Sequence, residues 1–219
     1  MAYPHWQYFL TLDDDLQRLS RYIELDTANY GVYSVELVRI LLAASSEIDV
    51  VAKLLCSKLG TQPKIRRRKG TKSRKVLKDR RVITDRRVIT GRRVATGRNW
   101  TMDNSRQVIF AGYPPLPELA VTIPAHGITL LPWESWKASK NPDWWHSHNA
   151  VKHDRSAAYR DANLGNVLHA VAGLYVLTLY LYAEDDHEGK LFPAAKLLSL
   201  EAEYMSHHLV TGSPKLPGT

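Results

Sequence analysis

Cysteine is nearly absent from this 219-residue chain, and the single Cys56 excludes both a disulfide framework and a cysteine-based zinc site. Other absences narrow the chemistry further. There is no His-Glu-x-x-His pair for zinc, no Gly-x-Ser-x-Gly elbow for a serine hydrolase, and no glycine-rich phosphate cradle after a strand. His146 and His153 are seven apart, too far for the usual one-turn metal pair, and His207-His208 stands alone, so no metal or cofactor is expected. The opening Met-Ala-Tyr-Pro-His-Trp lacks the basic-then-apolar pattern of a secretory signal, which predicts a cytoplasmic protein. The most apolar run, Asp161–Tyr182, is interrupted by Asn163, Asn166 and His169, so a core helix is expected rather than a membrane span.

What is present is unevenly distributed. With 44% hydrophobic and 24% charged residues there is ample material for a core. The net charge of +8 belongs to one segment: residues 64–98 hold 16 of the 30 Lys and Arg but only Asp79 and Asp85 of the acids, leaving the rest of the chain at −6. This tract carries Arg66-Arg67-Arg68 and then a tandem hexapeptide in which Arg80-Arg81, Arg86-Arg87 and Arg92-Arg93 recur before Val-Ile-Thr or Val-Ala-Thr. Three short copies are too few to stack as a solenoid. A ragged hairpin is one reading and a flexible basic loop the other. Without aromatic residues the tract offers no stacking platform, so its nucleic-acid contacts would go to phosphates and be salt-sensitive.

Elsewhere the patterning is mostly helical. Asp13-Asp14-Asp15 reads as a helix start after an aromatic lead-in, with Leu16, Leu19 and Ile23 following at helical spacing. Ser34 can cap a helix running to about Lys58 that is apolar almost all round. Its charges need partners: Arg39 lies one turn from Glu36, Asp49 and Lys53 are an i, i+4 pair, and Glu36 and Glu47, three turns apart, point the same way. Gln107–Gly112, Leu119–Ile123 and Gly127–Leu131 are β-prone, the last two forming a hairpin across Pro124-Ala-His126. Residues 190–209 suggest a short terminal helix or hook. The fold class is therefore mainly α, an antiparallel helical bundle of residues 1–63 and 100–209 with a small β-hairpin insertion, the basic insertion 64–99 and a Gly/Pro tail 210–219.

The densest polar cluster is Trp144-Trp145-His146-Ser147-His148-Asn149-Ala150-Val151-Lys152-His153-Asp154-Arg155. On one helix His146, Asn149 and His153 share a face, and His148, Lys152 and Arg155 share the next. A solvated helix start is the bland reading; an anion-binding, proton-moving face is the sharp one, with Glu36 or Glu47 turned toward its cations.

His148-Asn149-Ala150-Val151-Lys152-His153, ahead of a bundle helix, resembles the Arg-polar-x-x-x-His signature of HEPN domains, and the Ser34–Lys53 helix with Trp144–Arg155 is similar to uncharacterised bacterial proteins of this length. The resemblance covers about residues 13–58 and 132–182. It implies a helical, dimeric, metal-independent endoribonuclease of bacterial defence or toxin–antitoxin type, with a partner protein encoded nearby, or else a non-catalytic RNA-binding or assembly module. In its terms His153 is the catalytic base and Asn149 the polar residue. The family arginine falls at His148, which leaves Lys152 or Arg155 to supply the positive charge. A histidine can take the ribose 2′-hydroxyl proton near neutral pH, and a cation can stabilise the phosphate charge that develops.

Overall fold

A computed structural model describes residues 3–60, 101–183 and 191–200. The basic tract, with Arg66, Arg67, Arg68, Arg80, Arg81, Arg86, Arg87, Arg92 and Arg93, and the tail lie outside the described residues. Within them the chain is mainly helical, with one small antiparallel sheet.

The two most apolar stretches make the two longest helices, α2 (Val35–Lys58) and α6 (Leu164–Leu181). Ser34 caps α2 by accepting the Leu37 N–H, as the sequence predicts, and Asn163 caps α6 by accepting the Asn166 N–H. Helix α6 is buried on every side, whereas α2 leaves Val35 and Val50 exposed and so is enclosed on one side only. Although α6 is long and apolar enough to cross a membrane, 83% of it is buried inside the protein, as befits a core helix.

The chain reaches the start of α6 from the start of α2. The Leu164 and Gly165 N–H groups donate to the Val32 and Tyr30 carbonyls, and at the far end Lys58 Nζ donates to the Leu181 carbonyl. The central pair is therefore parallel. The expected antiparallel arrangement holds instead for α1 (Pro4–Leu19), whose Tyr3 and Phe9 meet Tyr182 and Tyr175 near the end of α6. The long intervening chain makes a parallel pair possible, which short-loop topology does not.

Helix α1 begins nine residues before the expected start at Asp13-Asp14-Asp15. Pro4 in its first turn fits the helix geometry, and Trp6, Phe9, Leu12, Leu16 and Leu19 make its buried stripe. Asp13, 1% exposed, sits mid-helix in that stripe. Its carboxylate accepts the backbone N–H groups of Lys196 (2.7 Å), Leu197 (3.2 Å) and Leu198 (3.2 Å). That clamp gathers the N–H groups of residues 196–198 onto one carboxylate just ahead of Ser199–Leu200, which form strand β3 where a terminal helix or hook was expected.

The expected hairpin is present as β1 (Val121–Ile123) and β2 (Ile128–Leu130), joined through Gly127, whose φ of 63° suits glycine. Because β3 pairs with the other edge of β1, the insertion is a three-stranded sheet, order β2-β1-β3, rather than a lone hairpin. The β-prone Gln107–Gly112 instead ends helix α3 (Met102–Gly112). The Thr101 N–H donates to Asn104 Oδ1 at 3.0 Å, closing the first turn, and Met102, Ser105, Val108 and Ile109 bury one helical face. Packing on a core overrides the local β preference.

Replacing Asp13 by Ala strands buried backbone donors that no local group can satisfy. We expect Asp13→Ala to lower unfolding free energy by about 3 kcal/mol in urea denaturation. A loss under about 1 kcal/mol would show that the clamp contributes little.

Candidate functional site

The polar cluster lies on α4 (Asp143–His153), and a set of indoles fixes how that helix sits. Trp133 Nε1 donates to the Gly173 carbonyl (3.1 Å) and Trp144 Nε1 to the Pro132 carbonyl (3.0 Å). A Cβ on Gly173 would stand 3.2 Å from the Trp133 ring and 3.3 Å from the Trp144 ring, so glycine lets both indoles lie against α6. Asn166 Nδ2 donates to Ser147 Oγ and to the Asp161 carbonyl, joining α4 to the first turn of α6. Of the polar residues that interrupt α6 in sequence, Asn166 is thus an attachment to α4, Asn163 caps the helix and His169 bonds within it.

With Trp144 turned inward, the i+4 position is buried too. His148 is 5% exposed and packs on Trp145, ring centroids 5.1 Å apart. Burial, helped by the nearby Lys152 ammonium, pushes the imidazole down to about 4, so His148 is neutral at physiological pH. Asp49 acts in the opposite direction but is outweighed. His146 and His153 are exposed, Lys152 is exposed one turn on from His148, and Asn149 is half-buried.

The helix stops at His153. Asp154 leaves helical geometry (φ −142°, ψ 78°) and its carboxylate accepts the Ala157 N–H at 3.2 Å, starting the single turn α5 (Arg155–Ala158). Arg155 therefore does not continue the face of His148 and Lys152, as one unbroken helix would require. It is exposed just past the end of α4. Among the described residues, none of Lys152, His153 and Arg155 is paired with a carboxylate.

Glu36 and Glu47 are not turned to these cations. Glu36 pairs with Arg39, which also reaches Asp15 of α1 at 2.6 Å, and Glu47 accepts from the His5 ring of α1. Three turns of spacing put the two glutamates on the α1 side of α2. The side toward α4 carries Leu42, Ser45, Ser46 and Asp49, at i, i+3, i+4 and i+7. With Trp145, His148, Asn149 and Lys152 they line a cleft of about 450 Å³. The sequence reading missed Ser45 and Ser46 and took Asp49 only as the partner of Lys53, a pair the structure does contain. Two adjacent serines one turn before an aspartate, on an otherwise apolar helix, were the available signal.

No protein-family model, curated protein or solved structure matches this chain. Its function has to be argued from the site itself. A second cavity, about 480 Å³, lies between Tyr30, Glu134, Ser135 and the first turns of α4 and α6, with His169 at its base. Burial lowers the His169 pKa, and its Nδ1–H donates to the Gly165 carbonyl at 2.9 Å. With Glu134 and Asp143 on its rim this cavity disfavours anions, so the α2/α4 cleft and the outer end of α4 form the better anion site. No group of three or more His, Cys, Asp or Glu among the described residues could hold a metal ion.

His148 links the site to stability. The unfolded chain takes up a proton on this residue below about pH 6.5, while the folded chain does so only near pH 4. Its contribution is thus constant above pH 6.5 and declines as pH falls from 6.5 to 4. Between pH 7 and pH 4 the wild type should lose about 3 kcal/mol more stability than His148→Phe, read from urea titrations across that range. Parallel pH profiles for the two proteins would contradict a buried, neutral His148.

Proposed function

We propose that this chain is a HEPN-like, RNA-directed protein of bacterial defence type, acting through the outer end of α4. The observation that carries the reading is that Lys152, His153 and Arg155, at and just past the end of the helix that carries Asn149, are each exposed and, among the described residues, unpaired with a carboxylate. Two permanent cations flanking an imidazole suit a phosphodiester: the cations hold the phosphate, and His153 takes the proton from the adjacent 2′-hydroxyl. Asn149 orients the attacked group. Because the chemistry needs only acid, base and positive charge, it runs without a metal ion. The set lies on an open surface, and a second copy of the chain facing it would enclose the reacting phosphate, which favours a homodimer. The basic tract, through Arg66–Arg68 and its paired arginines, adds phosphate contacts without base specificity.

One observation favours a second, non-catalytic reading. Where the HEPN signature has arginine, this chain has a buried, neutral imidazole, which cannot clamp a phosphate. In that reading the same surface binds RNA or a partner-bound RNA without cutting it.

The two part in a cleavage assay on single-stranded RNA in EDTA. Catalysis predicts that His153→Ala lowers the cleavage rate by about 100-fold or more with RNA affinity kept within a few fold. Wild-type protein that binds RNA and leaves it intact supports the non-catalytic reading. Protein that neither binds nor cuts RNA would overturn both.

A further inference from the structure

The floor of the α2/α4 cleft is as distinctive as its rim. Ser45 is fully buried and His148 nearly so, yet Ser45 Oγ and His148 Nδ1 have no hydrogen-bond partner among the described residues. Of the six buried side-chain polar atoms without a partner among the described residues, these two belong to residues on facing helices that line one cleft, which points to a group that enters it. The chemistry of that group can be read from its surroundings. A hydroxyl and a neutral imidazole offer both donors and acceptors but no charge, which suits the edge of an uncharged polar ring and not a phosphate. Trp145 and Leu42 supply apolar walls for a flat ring. Charge is confined to the mouth, where Asp49 is already paired with Lys53 and Lys152 is left over. A neutral ring inside and an anion at the entrance are the two halves of a nucleotide.

We propose that the α2/α4 cleft is a nucleobase pocket, holding one unpaired base of the RNA whose phosphates lie on Lys152 and Arg155. This rests on the RNA-directed reading of α4 and adds to it a means of choosing single-stranded over duplex RNA. A base in a helix cannot enter a cleft between two protein helices without leaving its stack, whereas a splayed base can.

The test compares two strands of equal charge: a single-stranded RNA of about twelve nucleotides and its abasic counterpart, titrated against the full-length protein by fluorescence anisotropy. The pocket predicts that wild type binds the base-bearing strand about tenfold more tightly. Ser45→Ala and His148→Phe should each bring that ratio toward one, whereas Lys152→Ala should weaken both strands alike and flatten the salt dependence. Ser45→Ala removes one atom from α2 and carries the test if His148→Phe folds poorly, circular dichroism deciding. Equal wild-type affinity for the two strands overturns the pocket and leaves RNA binding standing. So does a tenfold ratio that survives both Ser45→Ala and His148→Phe. Failure of the wild type to bind either strand overturns the RNA-directed reading itself, and the pocket with it.

Discussion

Helix α6 has no polar face, and the rest of the molecule is arranged to cover it. Fifteen of its eighteen residues are buried. A helix of that kind must be enclosed on all sides, since each exposed leucine or valine would forgo roughly 1.5–3 kcal/mol of burial. Helix α2 runs parallel along one side, α1 antiparallel along another, and the Trp133–Trp144 indoles close a third over Gly173. At its first turn, Asn166 adds a polar contact to Ser147 of α4. That contact, with the indoles, sets the position of α4.

The orientation of α4 divides its polar residues into two populations. Turning Trp144 and Trp145 inward carries His148 inward with them, and puts Lys152 and His153 outward. Desolvation then decides protonation at the buried imidazole, which cannot hold a proton at neutral pH. A cleft with an uncharged floor and a positive rim follows from the helix setting alone. The break at Asp154 adds Arg155 to the rim from a separate turn. Had α4 continued, Arg155 would have followed His148 toward the cleft wall, where a buried guanidinium would need a carboxylate that the wall does not provide.

Much of this was legible in the sequence because it is local. Ser34 before an apolar run, the apolar run of Asp161–Tyr182, and alternating Val-Thr-Ile and Ile-Thr-Leu around Gly127 each carry their own signal, and each element forms. What was not legible depends on partners far along the chain. Asp13 resembles a helix-starting acid, yet its role is to hold a segment more than 180 residues away. The β-prone Val108 and Ile109 are helical because a capped first turn and a core face claim them. On α2, Glu36 with Glu47 and Ser45 with Asp49 are equally regular stripes. Periodicity says that each stripe shares a side and is silent on which side faces α4. The expected acids, Glu36 and Glu47, therefore lie on the wrong side of α2 to face α4.

Charge distribution explains why the neutral floor matters. Outside residues 64–98 the chain carries −6, so that remainder does not attract polyanions as a whole. Positive potential at the α4 rim is local and falls off within about 8–10 Å at physiological ionic strength. A basic tract of +14 would gather any polyanion, duplex or single-stranded, without discrimination. Selectivity has to come from a surface that reads something other than charge. In the described residues that surface is the cleft, where two orphaned polar atoms lie between an indole and a leucine, one helix face away from the cations. In the proposed RNA-directed role, capture is separate from choice: the tract and rim would govern how tightly RNA is held, and the uncharged cleft which RNA is accepted.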